Sequence, residues 1–120
     1  MEKRKLLELA AKAAGIQYDI ENDKLLVLTK DQKDTYYWDP IDDDGDSMRL
    51  AVRLWLNIKM FNPCDALGGD DIMTHGFVEI WREDDEDPLV VEYFRNVNLR
   101  YEITRLAIVK AAAEIRKDLV

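Results

Sequence analysis

The chain is short of the residues on which most catalytic and metal chemistry depends. Cys64 is its only cysteine, so no disulfide can close within it and folding needs no oxidising compartment. His75 is its only histidine, so a histidine-based zinc site would need carboxylates or a second chain to complete it. No second thiol or base stands beside Cys64 in sequence, and His75 has only a nearby acid such as Asp71 to work with as a general acid–base pair. The Gly-x-Ser-x-Gly pattern of a serine nucleophile is missing. Gly68-Gly69-Asp70-Asp71 lacks the Lys-Ser/Thr ending of a phosphate loop. These gaps predict no catalytic residue, no bound metal and no cofactor.

Long apolar runs are also missing. No stretch approaches the roughly 18 apolar residues of a membrane span, so no membrane partner is expected. Glu2-Lys3-Arg4-Lys5 leads into Leu6-Leu7-Glu8-Leu9, which is not the unbroken apolar core of a signal peptide, and a cytoplasmic location follows as the expectation. Positive charge is scarce: 17 Lys and Arg against 25 Asp and Glu leave a net charge of −8. Binding to nucleic acid draws its free energy from neutralising phosphates, so nucleic acid is not an expected partner. The nearest basic face combines Lys3, Arg4, Lys5 and Lys12 and reads as the solvated side of a helix.

What is present is enough for one core. The 120 residues are 48% apolar, and a chain of this size buries about two-thirds of its unfolded surface. A single domain over 1–120 is expected. Leu6, Leu9, Ala10 and Ala13 recur at helical spacing and predict a helix over 2–14, closed by Gly15. Glu21-Asn22-Asp23 signals a turn, and a hairpin over 24–38 follows from Leu25–Thr29 and Tyr36-Tyr37-Trp38. A second helix is expected from Ser47 to about residue 57, capped by Asp44, Asp46 or Ser47, with Arg49 and Arg53 one turn apart. Strands follow at 58–61, 76–82 and 88–94, with a loop over 62–75. Residues 98–118 make the last helix, with Ile103, Leu106, Ala107, Ala111 and Ile115 as its main stripe, Ile108 and Ala112 widening the apolar face, and three consecutive alanines allowing close approach to the sheet.

Two acidic runs stand out. The first puts Asp39, Asp42, Asp43, Asp44 and Asp46 within eight residues. It fails as a calcium-binding EF-hand loop: with Gly45 sixth, the first and twelfth positions are Pro40 and Ala51, and neither has a ligating side chain. It reads as a solvated turn that caps a helix. The second, Glu83-Asp84-Asp85-Glu86-Asp87, reads as a solvated hairpin tip that discourages edge-to-edge pairing. Trp38, Trp55 and Trp81 fall in three different elements and are expected to help close the core. The competing reading places Trp38, beside Tyr36 and Tyr37, on an exposed binding patch with the aspartates that follow it.

The run from Trp38 to Val52, W-D-P-I-D-D-D-G-D-S-M-R-L-A-V, resembles the W-[DN]-P-[LI]-x-D-D-G-D-[AS]-x-R-L-A-V pattern of a family of small phage and prophage proteins of the α–β–α sandwich type. Leu6–Gly15 is similar to that family's first helix, and Thr104–Ala113 to its T-R-x-A-I-V-x-A-A-A helix. The resemblance implies a fold and an origin. It assigns no activity and no site residue.

The expected architecture is α+β: an antiparallel sheet of three to four strands with helices packed on it, in the order α-(β)-α-β-β-β-α. Apolar residues on both faces of the last hairpin suggest a symmetric homodimer as one way to cover them. The expected function is that of a phage accessory protein that binds and modulates a host or phage protein, with Trp38, Asp39, Asp42, Asp43, Asp44 and Asp46 as the interaction surface. A DNA mimic is a variant of that reading. The alternatives are a metal-dependent enzyme using Asp42, Asp44, Asp70 or Asp71, and a structural or assembly component of the virion.

Overall fold

A computed structural model describes residues 2–28, 33–61 and 76–118. Cys64, His75 and the Gly68–Asp71 run lie outside the described residues, as does the expected loop over 62–75. The elements are α1 (Lys3–Ala13), β1 (Asp19–Glu21), β2 (Lys24–Leu28), β3 (Thr35–Trp38), α2 (Asp44–Arg53), β4 (Asn57–Phe61), β5 (Gly76–Trp81), β6 (Val90–Phe94), a 3-10 turn (Val97–Leu99) and α3 (Arg100–Asp118). The α+β class and the antiparallel pairing are as expected. The strands, however, divide between two three-stranded sheets, β1-β2-β3 and β4-β5-β6.

The first sheet owes its extra strand to local turn chemistry. Asn22 and Asp23 both adopt positive φ (53° and 62°) between Glu21 and Lys24, which face each other across the ladder. Two left-handed residues make the two-residue turn that matches strand twist, and Asn and Asp tolerate that geometry. Leu25 then lies opposite Trp38, and Val27 opposite Tyr36, so one side of the hairpin is apolar. Leu25, Val27 and Trp38 bury that side against α1 and the rest of the core.

The last helix sits at the centre of the molecule. It packs against α1, α2, β5 and β6. Ala107, Ile108, Val109, Ala111, Ala112 and Ala113 are all buried, so over this stretch the burial covers most of the helix circumference and leaves the Lys110–Glu114–Lys117 line toward solvent. Small side chains make that possible, because alanine lets a neighbouring element approach closely on every side. So broad an apolar face suits a helix packed on several sides, whereas a single narrow stripe suits one at the surface. The widened face at Ile108 and Ala112 and the close approach of the alanines are as expected; buried Val109 and the packing on α1 and α2 go beyond it, and Ile103 and Leu106 are only half-buried. In α1 the buried set is Leu6, Leu7, Ala10 and Ala11, a face turned by about one residue from the expected one.

Tight packing fixes one glycine in the second sheet. Gly76 faces Phe94 across β5 and β6. An added Cβ there would run into the Phe94 ring and stand 2.6 Å from the carbonyl oxygen of Phe61. β5 alternates buried Val78 and Ile80 with half-buried Phe77, Glu79 and Trp81, so the two sides of this sheet differ sharply.

Candidate functional site

The acidic turn is the first place to look for a site, and the structure explains it as architecture. Asp43 is the N-cap of α2: its side chain accepts from the Asp46 N–H at 2.7 Å. The helix therefore begins at Asp44, three residues before the expected start, and Asp44, Asp46 and Ser47 lie inside it. Asp46 is itself 4% exposed and accepts from the Asp39 N–H (3.0 Å) and from Arg49 Nη2 (2.8 Å). Asp39 Oδ1 accepts from the N–H groups of Ile41 and Asp42, both at 3.2 Å, which closes the turn after β3. Asp44 pairs with Arg105 Nη1 at 2.7 Å, and Arg105 Nε also donates to the Ile41 carbonyl at 2.8 Å.

Lys3 bridges the remaining carboxylates, donating to Asp39 (2.9 Å) and to Asp42. The hydrogen bonds it donates to Asp42 and Asp39, in that order, raise the Lys3 pKa, and the hydrogen bond from Lys3 leads the causes that lower that of Asp42. The same geometry takes two residues out of the basic face on α1. Lys3 belongs to the acidic turn, and Arg4 pairs with Asp23 at 2.9 Å and with Glu8 at 3.6 Å.

These contacts correct the expected interaction surface. Trp38 is 3% exposed, with its ring in the core opposite Leu25, and cannot present itself to a partner. Asp46 is buried beneath the turn. Asp39, Asp42, Asp43 and Asp44 keep solvent contact but spend their carboxylates on Lys3, the cap and Arg105. Among the described residues no three His, Cys, Asp or Glu side chains are grouped so as to hold a metal ion. The second acidic run is exposed throughout 83–87.

Beside the acidic turn lies a different feature. An open groove of about 1040 Å³ runs between the first sheet and α2. Its sheet wall is Val27, Leu28, Tyr36 and Trp38, and its helix wall is Met48, Leu50 and Val52. Gly15, Ile16 and Gln17 form one side of it, and Arg49 and Arg53 join the lining from α2. Met48 and Val52 are one helical turn apart and both exposed, as are Leu28 and Tyr36 across from them. Burial raises the Tyr36 hydroxyl pKa above its ordinary range. Arg53 Nε donates to the Ala14 carbonyl and ties the ends of α1 and α2 together beside the groove.

Sequence reasoning passed over Met48, Val52, Leu28 and Tyr36 as a group. The available signal was that Met48 and Val52 form an apolar pair outside the buried Leu50-Ala51 stripe. Linking that pair to the hairpin required the tertiary fold. No protein family, curated protein or solved structure matches the chain.

Proposed function

We propose that this chain is a phage or prophage accessory protein that works in the host cytoplasm as a non-catalytic protein-binding module. Its binding surface is the groove between the first hairpin and α2. One observation carries this reading: an acidic chain leaves Leu28, Tyr36, Met48 and Val52 exposed around a single concavity. Contiguous exposed apolar surface rimmed by polar groups is characteristic of interaction sites. Methionine suits such a site because its unbranched, polarizable side chain adapts to a partner's shape.

The partner is a host or phage protein, and the segment it inserts carries apolar side chains for the groove. The phage origin rests on the resemblance of the Trp38–Val52 run and of the two helical segments. That run's aspartates serve the fold, so the pattern marks the turn that sets α2 against the hairpin.

The test compares baits. Wild-type protein and a Met48→Glu, Val52→Glu variant are each immobilised and exposed to host lysate, and captured proteins are quantified. Both changed residues are exposed, so the variant keeps its circular dichroism spectrum. A partner retained by the wild type and lost by the variant supports the reading. Equal capture by both contradicts it.

A further inference from the structure

The ladder register of the first sheet fixes which backbone groups are paired. The two-residue turn makes Glu21 and Lys24 a hydrogen-bonded pair. Pairing alternates along antiparallel strands, so in β2 Leu25 and Val27 turn their N–H and C=O groups toward β3. Their partners there are Trp38 and Tyr36. The backbone groups of Thr35 and Tyr37 therefore point the other way, off the free edge of the sheet. The next outward group in the series is the Asp39 N–H, and the Asp46 carboxylate accepts from it at 3.0 Å. Asp46 thus supplies the acceptor that a fourth strand would supply. Among the described residues nothing does the same for Thr35 and Tyr37, and only β2 packs extensively along β3.

We infer that the partner protein binds as an added strand: an extended segment of it pairs with the free edge of β3 and continues the sheet toward α2. This rests on the groove being the binding surface and says how that surface is used. Tyr36 and Trp38 are two residues apart, share one face of the hairpin and line the groove. Neighbours across a ladder share a face, so every second side chain of the added strand stands beside Tyr36 and enters the groove. The side chains between them face solvent. Main-chain hydrogen bonds then supply affinity, and the alternate side chains supply specificity. A segment with apolar residues at every second position fits. A helix does not, because its backbone groups are already bonded internally.

The opposite edge of the same sheet is built against such pairing. β1 has only 3 residues, and its outward backbone groups belong to Ile20, between the exposed carboxylates of Asp19 and Glu21. Short, charged edges are a common defence against strand addition. β3 carries no charged side chain from Thr35 to Trp38, and it borders the apolar groove.

Synthetic peptides test this. They are first selected from a random-sequence library on the immobilised full chain, and those that also bind the Met48→Glu, Val52→Glu variant are discarded. Amide hydrogen exchange of the chain is then followed with and without each peptide. The Tyr36 and Trp38 amides, bonded to β2, are expected to exchange slowly throughout. Those of Thr35 and Tyr37 are expected to slow by about tenfold or more only when peptide is bound. Tyr37→Pro removes an outward donor and leaves the β2 ladder intact, and it is expected to weaken peptide binding by about tenfold. Peptides that need Met48 and Val52 yet leave the Thr35 and Tyr37 amides exchanging as before overturn the added strand and leave the groove standing, as do peptides that bind Tyr37→Pro at full strength. A selection that yields no peptide dependent on Met48 and Val52 overturns the groove reading, and the added strand with it.

Discussion

Gly15 and Trp55 occupy the same backbone position in two different helices. Each follows its helix's C-cap in the left-handed region, at φ +70° and +56°. Each helix closes with the same pair of hydrogen bonds: Gly15 N–H to Lys12 and Ile16 N–H to Ala11 at the end of α1, Trp55 N–H to Val52 and Leu56 N–H to Ala51 at the end of α2. This paired closure usually takes glycine, which has no Cβ to clash. Trp55 accepts the strain while 79% exposed, so its ring recovers little by burial. It lies three residues after Val52, just past the end of the helix that forms one wall of the groove.

Exchange at these two positions has opposite signs. Trp55→Gly should raise stability by about 1 kcal/mol, because it relieves left-handed strain and sacrifices little packing. Gly15→Ala should lower it by a similar amount, since the nearest atom to an added Cβ, on Arg53, is 3.7 Å away and the cost is the backbone's alone. Urea unfolding of both variants checks this, and a stabilising Gly15→Ala would refute the assignment.

The acidic turn should behave as a structural unit. Asp46→Ala strands the Asp39 N–H and Arg49 together, and about 2 kcal/mol of lost stability is expected. Asp43→Ala removes only the cap and should cost about 1 kcal/mol. Asp46→Asn keeps an acceptor for the Asp39 N–H and should fall between wild type and Asp46→Ala. These losses should appear equally with and without added divalent metal.

The pH dependence has an acid and an alkaline limb. Asp42 is held below its ordinary 3.8, led by the Lys3 hydrogen bond. Its contribution is present above that value and disappears as pH falls through the lower folded-state pKa. Lys3 is held above its ordinary 10.5, so its contribution is full below that value and disappears as pH rises through the folded-state pKa. Lys3→Met should flatten both limbs in a series of thermal melts.

Tyr18 adds a separate alkaline step. Burial first, and its hydrogen bond to the Glu8 carboxylate second, push its hydroxyl up from 10.0 to about 12. The stabilisation this represents is full below 10.0 and is lost as pH rises from there through about 12. Phenolate absorbance should show a component titrating at about 12 in the folded protein, and Tyr18→Phe should remove it while a raised Tyr36 remains.

The sequence made the helices legible because their apolar spacing is local. It made the Asn22-Asp23 turn legible because only certain residues tolerate that backbone. The division into two sheets was not legible, since period-two alternation names strands and not their neighbours. Trp38 shows the limit clearly: the same Trp-Asp-Pro run fits a surface patch and a buried corner, and Leu25 opposite it decides for the corner. The aspartates misled for a related reason. Five carboxylates in a short run read as surface, and only the fold supplies Lys3, Arg49 and Arg105 from three separate helices to occupy them. The groove was the least legible feature, because its walls come from chain segments that meet only in the folded state.

The most direct test of the binding proposal is an NMR titration of isotopically labelled chain with the purified partner that the wild-type bait retains. Amide shifts should concentrate at Leu28, Tyr36, Met48 and Val52, with those of Phe77 and Tyr93 unmoved. Shifts that gather instead on the 83–87 tip would contradict the groove as the binding surface.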